Sequence, residues 1–268
     1  MTLSGEQAGE GDPIVLLHGL TATRRYVVMG SRLLERAGYR VIAYDARGHG
    51  RSTAPRERSA YGYEQLADDL QAVLDALGVR RALLAGASMG AHTILRFALD
   101  RPERVAALGL ITPAFDPDAP AVAPGERDAL ADGLRAGGVE GFVGAYDFAK
   151  VPEPWRATVE KVVRQRLALH EHPGALADAL EAVPRSRPFE RMQDLGSIAV
   201  PTVVVASRDD VDPAHPLALA ERYAQAIPAA RLTVEEGGPP VRSPIAWQGS
   251  QLSKALIDLA ARASFSHT

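Results

Sequence analysis

Five residues, Gly86-Ala87-Ser88-Met89-Gly90, restrict this chain more than any others. The apolar run Ala82-Leu83-Leu84-Ala85 leads into them, and a helix-forming stretch from Ala91 to Leu99 follows. A strand that passes into a helix through so few residues must fold its backbone sharply. Glycines two positions either side of the serine leave room for that corner. The pattern G-x-S-x-G in this setting sets the Ser88 hydroxyl at the carboxyl end of a strand, on a tight and strained turn. A serine that only fills the turn is the bland alternative. Both glycines, with a His-Gly loop at His18-Gly19 upstream, are more than a turn requires.

The rest of the chain alternates in the same way. Short apolar runs at residues 13–17, 39–44, 81–87, 105–111, 201–206 and 231–235 read as buried strands,. Between and after them, residues 27–37, 63–77, 216–227 and 245–263 carry helical spacing, several closed by glycine,. Alternation of this kind predicts a doubly wound, mostly parallel α/β sheet with helices on both faces. Right-handed crossovers then gather the loops after the strands on one edge, where ligands bind. Residues 1–12 read as the remnant of an antiparallel strand or hairpin.

Prolines at 113, 117, 120 and 124 end the regular pattern after residue 111,. Helical patterns resume at 126–136, 139–148, 155–169 and 175–183, with no strand among them. The segment 116–196 is expected to form a helical lid, dividing the chain into a first core half (1–115), the lid, and a second core half (197–268). A longer crossover packed to one side is the alternative, and it would not need so many residues.

Composition removes several classes. With 268 residues and a formal net charge of −3, nothing points to nucleic acid or an anionic membrane surface as partner,. The absence of cysteine excludes disulfides, thiol nucleophiles and thiolate metal sites,. The polar opening is unlike a signal peptide, and no apolar run approaches the roughly 18 residues of a membrane span. A cytoplasmic protein acting on a small molecule, with no metal or other cofactor, is the expectation.

Four stretches carry a resemblance. They are Leu17-His18-Gly19-Leu20, Asp45-Ala46-Arg47-Gly48-His49-Gly50-Arg51-Ser52, Gly86-Ala87-Ser88-Met89-Gly90 and Ala206-Ser207-Arg208-Asp209-Asp210-Val211-Asp212-Pro213. Through them the chain resembles the α/β-hydrolase superfamily from end to end. The resemblance implies Ser88 as nucleophile, with the backbone amides of Leu20 and Met89 as oxyanion donors. It also implies Asp209 as the acid of a triad, mapped on G-x-x-D-x-x-x-P with alanine at the first position, and Asp210 as runner-up. Serine at the corner disfavours the dehalogenase and epoxide-hydrolase branches, which place aspartate there.

One piece departs from the family. The loop after the last strand, residues 235–244, contains no histidine. Among the seven histidines, His18 belongs to the oxyanion loop and His49 to a glycine-flanked turn, while His92 lies one helical turn past Ser88. His170 and His172 stand near a lid-helix end, and His267 lies on the tail. His215, six residues beyond Asp209 on the site's edge of the sheet, is the candidate replacement base, with a helix-start histidine facing solvent as an equal alternative. Arg24 is a candidate for a substrate carboxylate, though such arginines are more often surface residues. Trp155 is a candidate apolar wall of the lid.

These residues point to a serine hydrolase for an ester, or a related acyl or carbon–carbon bond, of a small and partly apolar molecule. The missing histidine keeps two other classes open: a ligand-binding relative without catalysis, and a lyase, decarboxylase or cyclase that uses the pocket and oxyanion hole.

Overall fold

The computed structural model describes residues 1–120, 125–208, 215–234, 247 and 249–265. Its sheet is built from β1 (Gly5–Ala8), β2 (Pro13–Leu17), β3 (Arg40–Tyr44), β4 (Ala82–Ala87), β5 (Val105–Ile111), β6 (Thr202–Ala206) and β7 (Ala230–Val234). The order across the sheet is β1-β3-β2-β4-β5-β6-β7. β1 runs antiparallel to β3, while the remaining pairs are parallel. The fold is therefore the doubly wound α/β sheet that the alternating pattern implies.

The central strands β2, β4 and β5 are apolar at every position because both of their faces are covered. Val15, Leu17, Leu84, Leu108, Leu110 and Val204 turn towards α2 (Tyr63–Ala76), α3 (Met89–Asp100) and α7 (Leu217–Ala226). Their chain neighbours Ile14, Leu16, Leu83, Val203 and Val205 meet Leu34 and the helix α8 (Gly249–Ala260) on the other side. Successive side chains of a strand point to opposite faces, so a strand between two helical layers reads as one unbroken apolar run.

The first helix differs from expectation. Instead of a continuous helix over 27–37 there is a 3₁₀ turn at Arg24–Tyr26 and a single turn, α1 (Leu33–Arg36). Met29 at φ 47° and Gly30 at φ 76° reverse the backbone between them, and no α-helix tolerates two such residues in succession,. The apolar spacing there is real, since Val27, Val28 and Leu34 are buried, but turns rather than a helix deliver it.

Between β5 and β6 the chain inserts α4 (Glu126–Ala145), α5 (Arg156–Leu167) and α6 (Pro173–Ala182). α4 is two limbs bent at Gly137 and Gly138, the latter at φ 58°. The limbs lie so close that a Cβ on Gly141 would stand 1.9 Å from the Gly133 carbonyl oxygen. These helices have their own core, including Leu130, Leu134, Phe142, Val163, Leu167, Leu176 and Leu180, with Leu20 of the core domain packed against it. A second cluster joins Ala175, Ala179 and Val183 to Tyr61, Tyr63, Leu66 and Met89. The insertion thus packs against Leu20, in the loop after β2, and Met89, the first residue of α3. No described helix is long and apolar enough to cross a membrane.

Candidate active site

β4 ends at Ala87 and α3 begins at Met89, so Ser88 alone makes the corner. Its backbone stands at φ 48°, ψ −109°, a region that side chains rarely adopt,. Two close approaches explain the glycines. A Cβ on Gly86 would lie 2.2 Å from the Gly90 carbonyl carbon, and one on Gly90 would lie 2.3 Å from the Leu17 carbonyl oxygen. The corner is fixed by the Ser88 amide donating to the Ile111 carbonyl at 2.9 Å and by the Ser88 carbonyl accepting from the His92 amide at 3.1 Å. Ser88 itself remains partly exposed.

Gly19 lies directly beside the corner, where an added Cβ would be 3.5 Å from that of Ser88. Among the described residues the Leu20 and Met89 amides donate to no backbone acceptor. Met89 is the first residue of α3, so its N–H is one of the helix's unpaired donors and carries the positive end of the helix dipole,. The His18 ring holds the loop in place. Its Nε2 accepts the Ala46 amide at 2.9 Å, which leaves the proton on Nδ1 for the Gly19 carbonyl at 2.8 Å.

His215 comes to the corner from the far side. Its Nε2 stands 3.1 Å from the Ser88 Oγ, although 127 residues separate the two in the chain. His92 is turned elsewhere. Its Nε2 accepts the Ala114 and Phe115 amides at 2.9 and 3.0 Å, and its Nδ1 lies 3.1 Å from the Tyr63 hydroxyl. Burial first, and then the neighbouring His215 and Arg127, push its pKa down to about 3. Of the two imidazoles near Ser88, only that of His215 meets the hydroxyl.

Arg24 is differently employed from the expectation of a substrate contact. Its guanidinium forms an ion pair with the buried Asp45, and its Nε lies 3.5 Å from Glu6. Trp155 closes a 3₁₀ turn, Glu153–Trp155, at the start of α5 and is half-buried. Asp209, Asp210, Asp212 and His267 lie outside the described residues.

A contact that sequence spacing does not reveal ties the insertion to the core. His170, just after α5, accepts the Gly50 amide on Nδ1 at 2.9 Å and lies with Nε2 3.1 Å from the Thr21 carbonyl. The rings of His18, His49 and His170 form a row, with centroids 5.0 and 5.6 Å apart. Glu171 extends the join through its amide to the Gly50 carbonyl and its carboxylate to Arg51.

Comparison with known proteins agrees with this architecture. A family model described as alpha/beta hydrolase fold matches residues 12–146. A protein of Variovorax paradoxus, provisionally named carbamate hydrolase RutD, is 31% identical over 95% of this chain and 94% of its own. Among solved structures, an enol-lactonase from Burkholderia xenovorans shares the fold with a TM-score of 0.74 at 24% identity, covering 97% of this chain and 96% of the other. A thermophilic esterase from Thermogutta terrifontis, solved with malate bound, superposes with a TM-score of 0.70 at 25% identity, covering 97% and 90%. The relatives are hydrolases, and the chain belongs to the α/β-hydrolase superfamily.

Proposed function

We propose that this protein is a serine hydrolase acting on an ester or lactone of a small, partly apolar molecule. The observation that carries the reading is the 3.1 Å between the Ser88 Oγ and the His215 Nε2, within the reach required of a general base. Ser88 attacks the carbonyl carbon as its proton passes to His215, forming a tetrahedral intermediate. The amides of Leu20 and Met89 hold the oxyanion. His215 then hands the proton to the departing alkoxide, leaving an acyl-enzyme that water hydrolyses by the same steps. Asp209, or its neighbour Asp210, is the proposed partner that orients the imidazole. The base comes from the loop after β6 rather than the loop after β7, which accounts for the missing histidine in residues 235–244.

The insertion, within 116–196, serves as the lid. It packs against Leu20 and Met89, the two residues whose amides are assigned to the oxyanion,. Labelling with a fluorophosphonate probe tests the reading. Wild-type protein is expected to label at Ser88, His215→Ala to label at least about 10²-fold more slowly, and Ser88→Ala not at all. An unreactive Ser88 alongside tight small-molecule binding would turn the assignment to a non-catalytic relative.

A further inference from the structure

Leu20 and Thr21 are the middle of a four-residue turn, Gly19–Ala22, closed by the Ala22 amide donating to the Gly19 carbonyl at 3.1 Å. Thr21 takes φ 64° in this turn. A threonine, branched at Cβ, is a genuine outlier there and persists only where its surroundings hold it. The turn also lies against the corner, since a Cβ added to Gly19 would stand 3.5 Å from that of Ser88. Whatever holds Thr21 therefore bears on the position of the Leu20 amide, one residue away.

The hold comes from the insertion. At the start of the turn the His18 ring supports the Gly19 carbonyl. At its far end the Thr21 carbonyl receives no backbone amide among the described residues, and it meets the His170 Nε2 at 3.1 Å. The partners fix the tautomer. His170 Nδ1 faces the Gly50 amide at 2.9 Å and is the unprotonated nitrogen, so Nε2 carries the hydrogen that a carbonyl accepts,. The ring is itself held from the core side. Glu171 donates its amide to the Gly50 carbonyl at 2.9 Å, and the His49 ring meets that of His170 edge-on, with centroids 5.6 Å apart. Leu20 supplies a second attachment, because its side chain packs on both apolar clusters to which the insertion contributes.

We propose that His170 is a positioning residue for the oxyanion hole, holding the strained Gly19–Ala22 turn so that the Leu20 amide stays aimed at the developing charge. The inference rests on the reading of Ser88 as nucleophile and of Leu20 as donor. Without the Nε2 hydrogen, Thr21 is free to relax to a negative φ, which swings the Leu20–Thr21 peptide and moves Leu20 with it. One of the two donors is then misaimed, while the Met89 amide keeps its place at the start of α3,. The insertion thereby contributes to the reacting geometry and not only to its enclosure.

Two substitutions separate the two bonds of the ring. His170→Asn sets its Oδ1 where Nδ1 stands and keeps an acceptor for Gly50, but has no group that reaches Thr21. His170→Gln reaches as far as Nε2 and keeps a donor for Thr21. With 4-nitrophenyl butyrate, His170→Asn is expected to lower kcat about 10- to 100-fold at nearly unchanged KM, because the donor is misplaced rather than removed. His170→Gln is expected to retain most of the wild-type kcat. The rate of fluorophosphonate labelling at Ser88 should follow the same order, since the phosphonyl oxygen enters the same hole, and it needs no choice of ester. In a Thr21→Gly background, where φ 64° carries no strain, His170→Asn should cost less in both rates. Equal rates in the Asn and Gln variants, a loss confined to KM, or a loss unaltered by Thr21→Gly overturns the proposal and leaves Ser88 as nucleophile. A wild-type Ser88 that neither labels nor turns over the ester overturns both. Should His170→Asn not fold, replacement of His170 by 4-thiazolylalanine takes its place, since that ring keeps the nitrogen facing Gly50 and puts sulfur where the Nε2 hydrogen was carried.

Discussion

Ser88 occupies a backbone conformation that suits no side chain. At φ 48°, ψ −109°, a residue with a Cβ is strained by about 1–3 kcal/mol relative to an ordinary region,. Glycine would relieve that strain, against a smaller entropic cost of about 0.4–1 kcal/mol in the unfolded chain. Ser88→Gly is therefore expected to be about 1 kcal/mol more stable than Ser88→Ala, with both inactive, as urea unfolding can measure. Equal stability would mean that the corner stores no strain. Gly90 has the opposite constraint, since a methyl group there would run into the Leu17 carbonyl. Gly90→Ala must push β2 and α3 apart and should cost about 2–4 kcal/mol in the same assay. At His215 the expectation is kinetic. Replacement by alanine should lower kcat about 10²- to 10⁴-fold while KM moves little, because a general base acts in the transition state rather than in binding.

The joins between elements depend on contacts that no local pattern announces. His170 links the insertion to two loops of the core through the Gly50 amide and the Thr21 carbonyl. Its partners lie 120 and 149 residues away in the chain, so nothing in the sequence around it marks it out. His170→Ala strands one buried donor and one buried acceptor and should destabilise the protein by about 2–4 kcal/mol. His170→Gln, whose amide can still donate towards Thr21, should lose less, and an equal loss in the two variants would deny the Thr21 contact its importance. His215 was half legible. Its loop after β6 lies on the edge of the sheet to which the corner also points, but the sequence leaves a solvent-facing helix start equally open. Only the folded chain brings its Nε2 to 3.1 Å from the Ser88 Oγ. The strands were legible because two covered faces leave unbroken apolar runs. The stretch at 27–37 was not, since Val27, Val28 and Leu34 have helical spacing while Met29 and Gly30 take positive φ values that composition does not forecast. Arg24 misled in another way: its partner Asp45 comes from the next strand's end, and only the folded chain brings them together.

Across the whole molecule the buried histidines set a common response to acid. Burial is the first cause of a lowered pKa at His18, His49, His92 and His170, reaching about 3 at His92 and about 4 at His170. Around the row of three, Arg24 opposes a charge on His18 and Arg166 one on His170, while Asp45 favours both. The hydrogen bonds explain why protonation is resisted. His18 and His170 each accept a backbone amide on one ring nitrogen, and His92 accepts two on its Nε2, so an added proton would face an N–H in every case. In the unfolded chain these rings take up protons near pH 6.5. The folded state binds fewer protons than the unfolded one wherever the pH lies between that value and the lowered one. Their contribution is therefore fully present above about pH 6.5 and is lost as the pH falls towards the folded values. Each ring adds at most about 1.4 kcal/mol per pH unit, and four acting together make the fall steep. Carboxylates held below their usual range by arginines, such as Glu181 beside Arg135, lose their contribution only further down, below about pH 4.5,. The free energy of unfolding should accordingly be nearly flat from pH 8 to 7 and drop between about 6.5 and 4.5, before the carboxylates titrate. His170→Gln removes one of the four and should make that drop shallower, and a wild-type stability that stayed level down to pH 5 would show that these rings take up protons in the folded state as readily as in the unfolded one.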